Sequence, residues 1–193
     1  MRRVELLEAL ATIREGAAMV ISPGLSNYHI APKGDHPLTI YNMEMPYATP
    51  LALGVALAWP AKKVVAIEGD GSLLAGPGVL STIGHYRPQN LVVLVCDNGV
   101  YLTTGTGTAP TTTGHGTDIE GLARASGINN IRTVSDLEEA TDVLQQALSE
   151  DGPWIIVAKV DRSDQGQRGS LPTTVLESGF RFRRAALDEP SKP

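Results

Sequence analysis

Two segments decide the fold: Val-Val-Ala-Ile-Glu-Gly-Asp-Gly-Ser at residues 64–72 and Leu-Val-Val-Leu-Val-Cys-Asp-Asn-Gly at residues 91–99. Each begins with an uninterrupted apolar run, which is typical of a strand buried on both faces of a sheet. The residues between them, 73–86, suit a helix. The order strand, turn, helix, strand predicts two neighbouring parallel strands, with ligands expected beyond their carboxyl ends.

The rest of the chain continues this alternation of helices and strands. It favours an α/β fold, a three-layer α/β/α sandwich with a mostly parallel sheet. We expect residues 1–161 to form one domain. Residues 162–193 show no clear helical or strand periodicity of apolar residues, and we predict a tail that docks on a partner or is poorly ordered. The other predicted elements are helices at 3–15, 49–59 and 118–126, a helix opened by Ser135, strands at 18–22, 38–41, 131–134 and 154–160, and turns at 23–37.

Composition excludes several classes of protein. The chain has 193 residues, 42% of them apolar and 19% charged, which fits one compact domain. Its net charge is −5 and no run of Lys or Arg exceeds a pair, which argues against a nucleic-acid partner. No window reaches the ~18 apolar residues of a membrane span, and the N-terminal segment carries acids, unlike a signal peptide. We therefore expect a cytoplasmic protein.

Cys96 is the only cysteine in the chain. It cannot form an internal disulfide, and a site that needs several thiolates, such as an iron–sulfur cluster, cannot be built from this chain. Because Cys96 ends an apolar strand, we interpret it as a buried core thiol rather than a nucleophile.

Polar residues follow both buried strands. Gly69-Asp70-Gly71-Ser72 opens a helix, so free backbone N–H groups and the helix dipole would face a phosphate, while Asp70 offers a hard oxygen ligand. Asn98 lies 28 residues after Asp70 and offers a neutral amide oxygen, to which the Val100 carbonyl adds a second. The pattern predicts a diphosphate–Mg²⁺ site. The alternative is that residues 69–72 form an ordinary strand-to-helix turn without a ligand. Asp97 is expected to cap the loop that follows it.

At these residues the chain resembles the thiamine diphosphate-dependent enzymes. Their signature is GDG followed one strand–helix–strand step later by two asparagines, and here Gly69-Asp70-Gly71 and Asp97-Asn98 match it. The resemblance implies that Asp70, Asn98 and the Val100 carbonyl hold Mg²⁺. Asp97 in place of the first Asn adds a negative charge nearby. The residues implied to surround the cofactor at this end are Gly69, Gly71, Ser72, Leu73 and Tyr101.

The resemblance extends upstream. Residues 24–30 resemble the segment that cups the thiamine rings, which implies contacts from Ser26 and makes Ile30 the apolar wedge beneath the cofactor. Among these enzymes, the chain most resembles the thiamine-binding subunit of sulfopyruvate decarboxylase and the C-terminal half of phosphonopyruvate decarboxylase. One departure is Met43-Glu44-Met45-Pro46, where those relatives have Gly-Ser-Met-Gly. We expect Glu44 to face the substrate or a subunit boundary.

The resemblance also implies a partner. In that family a glutamate from a separate pyrimidine-binding domain activates the cofactor, and a chain of one domain's length has no room for a second. We expect a partner subunit to supply the glutamate in a hetero-oligomer. The alternative is that Glu44 or Glu68 of this chain activates the cofactor itself.

Proton transfer to the product needs a donor. Four histidines are candidates, and His115 and His29 are expected to be better placed than His36 or His85. The Thr- and Gly-rich loop at 103–113 offers hydroxyls to a sulfonate, phosphonate or carboxylate, or is a flexible polar loop.

Four functions compete. The leading hypothesis is a 2-oxo acid decarboxylase subunit that uses the cofactor as an electron sink and releases CO₂ and an aldehyde from sulfopyruvate or phosphonopyruvate. A carboligase or synthase with the same cofactor fits the same residues. A non-catalytic cofactor-binding module is the third interpretation. The thiamine-binding subunit of a 2-oxo acid:ferredoxin oxidoreductase is the fourth, weakened by the single cysteine.

Overall fold

The computed structural model describes residues 1–102, 109–162 and 169–189. The helices are α1 (Arg3–Ile13), α2 (Leu25–Gly34), α3 (Ala48–Ala58), α4 (Asp70–Leu74), α5 (Val79–Tyr86), α6 (Ile119–Ala125), α7 (Leu137–Ser149) and α8 (Val175–Asp188), with a 3₁₀ turn at Thr113–His115. The strands are β1 (Ala18–Ile21), β2 (Thr39–Ile40), β3 (Val64–Gly69), β4 (Leu91–Asp97), β5 (Val100–Tyr101), β6 (Ala109–Pro110), β7 (Asn130–Val134) and β8 (Trp154–Lys159).

Six strands form one parallel sheet in the order β2-β1-β3-β4-β8-β7. The two apolar runs pair directly, with Val64 opposite Leu91 and Gly69 opposite Cys96. Their side chains alternate between two cores. Val64, Ala66 and Val93 face the core under α3, α5, α6 and α8, whereas Val65 and Cys96 face the core under α1, α2 and α7. The three-layer α/β/α prediction is confirmed.

The strand order creates a crevice between β1 and β3. The chain leaves β1 towards the sheet edge, adds β2, and returns to place β3 on the other side of β1. The segment after β1 enters α2 on one face of the sheet, while the segment after β3 enters α4 on the other. Such a switch point is where ligands bind in open α/β sheets, beyond the carboxyl ends of the strands.

Two predictions for this region are wrong. Residues 25–34 form α2 rather than turns, because the Asn27 side chain ties the start of the helix to the Ser22 carbonyl (2.8 Å) and to the Asn42 backbone N–H (2.7 Å). The segment 73–86 is two helices, α4 and α5, because Gly76, Pro77 and Gly78 interrupt it. Farther along, Asp136 rather than Ser135 caps α7, accepting from the N–H groups of Glu138 and Glu139.

The expected tail is also partly wrong. Residues 175–188 form α8, which begins with a capping box between Thr174 and Glu177. Phe182 is 7% exposed and belongs to the core under α3. The Ser178 hydroxyl accepts the Tyr41 backbone N–H at 3.2 Å beside β2. α8 is therefore part of the folded body. None of the helices in the described parts of the chain has the length and apolar character to cross a membrane.

Candidate functional site

A cleft opens where the carboxyl ends of β1, β3 and β4 meet. The loops that follow these three strands border it, together with the segment between β2 and α3 and the start of α1. The described residues that line the cleft are Arg3, Pro23, Gly24, Leu25, Ser26, Met45, Gly69, Asp70, Gly71, Ser72, Cys96, Asn98, Val100, Tyr101 and Leu102.

Asp70 is the carboxylate at the centre of this cleft and is 2% exposed. Its Oδ2 accepts the hydroxyl of Thr111 and lies 2.5 Å from the Thr113 hydroxyl. Burial raises the Asp70 pKa, the Thr111 and Thr113 hydroxyls oppose that rise, and the charge of Asp97 adds to it. A divalent cation would neutralise this carboxylate and provide the compensation that burial demands.

Asp97 lies on the next strand and is 4% exposed. It forms an ion pair with Lys159 (Oδ2 to Nζ, 2.5 Å). Its Oδ1 accepts the Gly99 N–H at 3.1 Å, which confirms that Asp97 caps the loop. Thr113 Oγ1 lies 2.9 Å from the same Oδ1 and so bridges Asp97 to Asp70. Lys159 therefore compensates the charge that the Asn-to-Asp departure introduces.

Asn98 and Val100 complete the predicted metal ligands. Asn98 is 6% exposed, and its Oδ1 accepts the Val100 N–H at 3.3 Å in an Asx-turn, which leaves that oxygen one further lone pair. Both residues line the cleft with Asp70. One carboxylate, one amide and one carbonyl form an all-oxygen donor set, which suits Mg²⁺. The described residues hold no group of three His, Cys, Asp or Glu arranged for a metal.

Gly71 and Ser72 form the part of the cleft that would face a diphosphate. A Cβ at Gly71 would lie 2.2 Å from a ring carbon of Tyr101 and 2.9 Å from the Thr111 methyl carbon, so only glycine fits there. The Ser72 hydroxyl lies near Glu68, yet its buried Oγ has no hydrogen bond of normal geometry within the described structure. A buried hydroxyl next to a glycine backbone fits a bound phosphate oxygen. α4 has only five residues, so the predicted helix-dipole contribution is small.

Several predicted site residues lie elsewhere. Ile30 is fully buried in the core under α1 and does not line the cleft, so the structure does not support Ile30 as the wedge. Met45, 38% exposed, is one of the apolar side chains that do line the cleft. His29 is buried in α2 and does not line the cleft. Leu73 packs in the opposite core and could offer only its backbone.

The remaining predicted residues lie outside the cleft. His115 ends the 3₁₀ turn and is exposed, and Glu44 is exposed beside Met45. Glu68 is fully buried, and its Oε1 accepts the Thr49 N–H and hydroxyl, each at 2.9 Å, which anchors α3 to β3. Burial raises the Glu68 pKa. Of the predicted polar loop 103–113, residues 103–108 lie outside the described residues.

Sequence reasoning missed Thr111, Thr113, Lys159 and Met45. Thr111 and Thr113 belong to a loop whose many threonines look alike in the sequence. Only the fold shows which two reach Asp70, because β6 pairs with β5 and brings Thr111 back beside the strand ends. Met45 could have been found, since it stands in the segment that departs from the relatives' pattern.

Residues 25–158 match the family described as thiamine pyrophosphate enzyme, C-terminal TPP binding domain. The match covers more than half of the chain. The chain belongs to this family and is a thiamine diphosphate-binding domain.

Two curated relatives are similar along nearly the whole chain. Phosphonopyruvate decarboxylase of Streptomyces viridochromogenes is 33% identical over 191 residues, 98% of this chain and 47% of that protein. Sulfopyruvate decarboxylase subunit beta of Methanocaldococcus jannaschii is 31% identical over 187 residues, 95% of this chain and 96% of that subunit. This chain thus spans about half the length of the first relative and almost all of the second.

The fold is also found among solved structures. The thiamine diphosphate-dependent 4-hydroxybenzoylformate decarboxylase of Rhodococcus jostii RHA1 superimposes with a TM-score of 0.70 at 20% identity, over 85% of this chain and 33% of that one. At this identity the likeness concerns the fold alone.

Proposed function

We propose that this chain is the thiamine diphosphate- and Mg²⁺-binding subunit of a 2-oxo acid decarboxylase, with a substrate of the sulfopyruvate or phosphonopyruvate kind. The observation that carries the proposal is the similarity along 96% of a sulfopyruvate decarboxylase subunit beta. A cleft in which Asp70, Gly71 and Asn98 meet supports it. The single cysteine supports a cytoplasmic location.

When bound, thiamine diphosphate supplies the electron sink that lets a 2-oxo acid lose CO₂. The residues of this chain hold and orient it. Asp70, Asn98 and the Val100 carbonyl would bind Mg²⁺, and Gly71 and Ser72 would contact the diphosphate. Neither predicted proton donor lines the described part of the cleft. His29 is buried in α2, whereas His115 is exposed and follows the loop that carries Thr113, so His115 stays the candidate donor of the product proton.

We further propose that a separate pyrimidine-binding subunit supplies the activating glutamate. Asp70 is the only carboxylate among the described residues that line the cleft, and it is the proposed metal ligand. No second carboxylate from the described part of the cleft is therefore free for that role. The designation "subunit beta" of the relative from Methanocaldococcus also supports a partner.

The test is CO₂ release by the tagged chain purified from its source cells together with the subunit that accompanies it. Sulfopyruvate, phosphonopyruvate and pyruvate are compared, each with Mg²⁺ and thiamine diphosphate. We expect release with at least one substrate and its loss in Asp70→Ala. Full activity in that variant would contradict the site. Consumption of a second carbonyl compound would instead assign a carboligase, and cofactor binding without turnover would assign a non-catalytic module.

A further inference from the structure

Arg3 occupies an unusual position for a cation. It is the first residue of α1 and only 5% exposed. The start of α1 lies at the carboxyl edge of the sheet, where the Asp161 N–H donates to the Met1 carbonyl at 3.0 Å. From there the Arg3 side chain borders the cleft, together with Ser26, Cys96 and the Asp70–Ser72 turn.

The charge of Arg3 has no counter-ion in the described part of the protein. None of the ion pairs formed there involves it, and its Nε is buried without a hydrogen-bond partner. Arg3 shares the cleft lining with Cys96 and lies close enough to lower the pKa of that thiol. Burial raises the pKa of that thiol and outweighs the opposing influence of Arg3, so the thiol is neutral and cannot balance a guanidinium.

Arg14 shows what a structural arginine looks like in this fold. It is equally buried, at 6% exposed. Its Nη atoms donate to the Ala17 carbonyl (2.6 Å), the Gly34 carbonyl (2.7 Å) and the Thr39 hydroxyl (3.0 Å). Three oxygens therefore stabilise that guanidinium through its Nη atoms, while its Nε, like that of Arg3, is buried without a partner within the described structure. Arg3 has no such set among the described residues and faces a cleft instead of a closed core.

A buried charge is tolerated when a partner compensates it, and the planar fork of a guanidinium matches two oxygens of a phosphate. We propose that Arg3 binds the diphosphate group of the cofactor. This inference deepens the proposed function and rests on it. The diphosphate is favoured over the acid group of the substrate because Arg3 shares the cleft with Gly71 and Ser72, whereas Glu44 and His115, the residues predicted to serve the substrate, do not line it.

The test uses the full chain with its accompanying subunit and measures binding, not turnover. Magnesium pyrophosphate and, separately, thiamine diphosphate with Mg²⁺ are titrated calorimetrically into wild type, Arg3→Gln and Arg3→Lys. Arg2→Gln is the matched control, since Arg2 precedes Arg3 but is 59% exposed and pairs with Glu5. We expect Arg3→Gln to weaken both probes by about 10- to 100-fold, the range for a lost charge-assisted hydrogen bond. Arg3→Lys should be intermediate and Arg2→Gln unchanged.

Melting temperatures without ligand separate this role from a structural one. Because Arg3 is buried without a counter-ion, Arg3→Gln should melt at the same temperature as wild type or higher. A lower melting temperature with unchanged pyrophosphate affinity would make Arg3 structural and overturn the inference. Unchanged affinity with a raised KM for the 2-oxo acid would assign Arg3 to the substrate, which also overturns it. If wild type itself binds neither probe, the proposed function fails, independently of any difference between the variants.

Discussion

Gly71 is the residue at which the site tolerates least change. The sequence presents Gly69 and Gly71 as equivalent members of one motif, but a Cβ at Gly69 would meet nothing within 4 Å, whereas one at Gly71 would overlap the Tyr101 ring. The close approach of Tyr101, and not a positive φ, requires glycine there. The motif thus combines one glycine that the packing demands with one that the local space does not.

We predict that Gly71→Ala displaces Tyr101 and lowers the affinity for thiamine diphosphate by at least about tenfold, the effect of one lost binding contact. Calorimetric titration with Mg²⁺ present measures it. Gly54→Ala is the control, because that helical glycine has open space around it and should gain roughly 0.5–1 kcal/mol in stability. Equal affinities in Gly71→Ala and wild type would contradict the placement of the diphosphate.

Thr111 holds the candidate metal ligand in place. Its hydroxyl donates to Asp70 Oδ2, and the residue is 1% exposed. Removing an outer partner of a metal ligand typically costs about 10- to 100-fold in metal affinity. We therefore expect Thr111→Val, which keeps the shape, to weaken Mg²⁺ binding by that factor in an Mg²⁺ titration. Thr112→Val, at an exposed neighbour, should have no effect. Tighter binding by Thr111→Val would show that the hydroxyl competes with the ion.

At the scale of elements, long apolar runs proved to be the most informative part of the sequence. Strands β3 and β4 are buried on both faces, and for that reason almost all of their residues are apolar, which makes them recognisable in the sequence. α2 contains Pro32 and ends at Gly34, two residues that suppress helical propensity, and it depends on the contact of Asn27 with Asn42, which is distant in sequence. α8 buries only Ser178 and Phe182, which are too few residues to give a recognisable helical pattern of apolar side chains. Its capping box, Thr174 and Glu177, was visible in the sequence.

α8 offers a direct test of how a helix with few buried residues is held. Phe182 is 7% exposed and Phe180 is 65% exposed. Phe182→Ala should cost roughly 3 kcal/mol through the cavity it leaves, and Phe180→Ala less than about 0.5 kcal/mol. Urea unfolding gives both values, and hydrogen exchange should show residues 175–188 losing protection in Phe182→Ala alone. Equal effects would mean that α8 does not dock through Phe182.

The ion pair between α2 and α8 should make part of this docking depend on pH. Arg181 donates to both carboxylate oxygens of Asp35, at 2.6 and 3.1 Å, and this contact holds the Asp35 pKa below its ordinary value. An acid with a lowered pKa stabilises the fold above its ordinary pKa, and this stabilisation is lost as the pH falls through the lowered value.

We predict that Asp35→Asn destabilises the protein at neutral pH by less than about 1 kcal/mol, because both side chains are partly exposed. The difference from wild type should shrink as the pH falls below the ordinary aspartate pKa of about 4 and Asp35 itself becomes neutral. Urea unfolding at a series of acidic pH values measures it. Glu8→Gln, which removes the exposed Glu8–Lys33 pair, is the control. A difference that stays constant with pH would exclude the ion pair as its cause.

At the scale of the whole molecule, the described residues that line the cleft include one carboxylate, Asp70. The strand order opens the cleft at the switch point between β1 and β3, and the loops that follow β3 and β4 bring together the candidate metal ligands Asp70, Asn98 and Val100. Glu68, the other acid of the motif, is fully buried, accepts the Thr49 N–H and does not line the described part of the cleft. Glu44 is exposed beside Met45 at the rim of the cleft, where a second subunit could cover both.

We therefore predict that the isolated chain binds Mg²⁺ and thiamine diphosphate but releases no CO₂, and that the accompanying subunit restores release. A native mass spectrum of the preparation should show a mixed oligomer that carries the mass of the cofactor. Glu44→Gln in that complex separates two roles. If Glu44 contacts the substrate, the KM of Glu44→Gln rises while the oligomer stays intact. If Glu44 lies at the subunit boundary, the variant oligomer dissociates at a higher protein concentration than the wild type does. CO₂ release by the isolated wild-type chain, abolished in Glu44→Gln, would show instead that this chain carries its own activating glutamate.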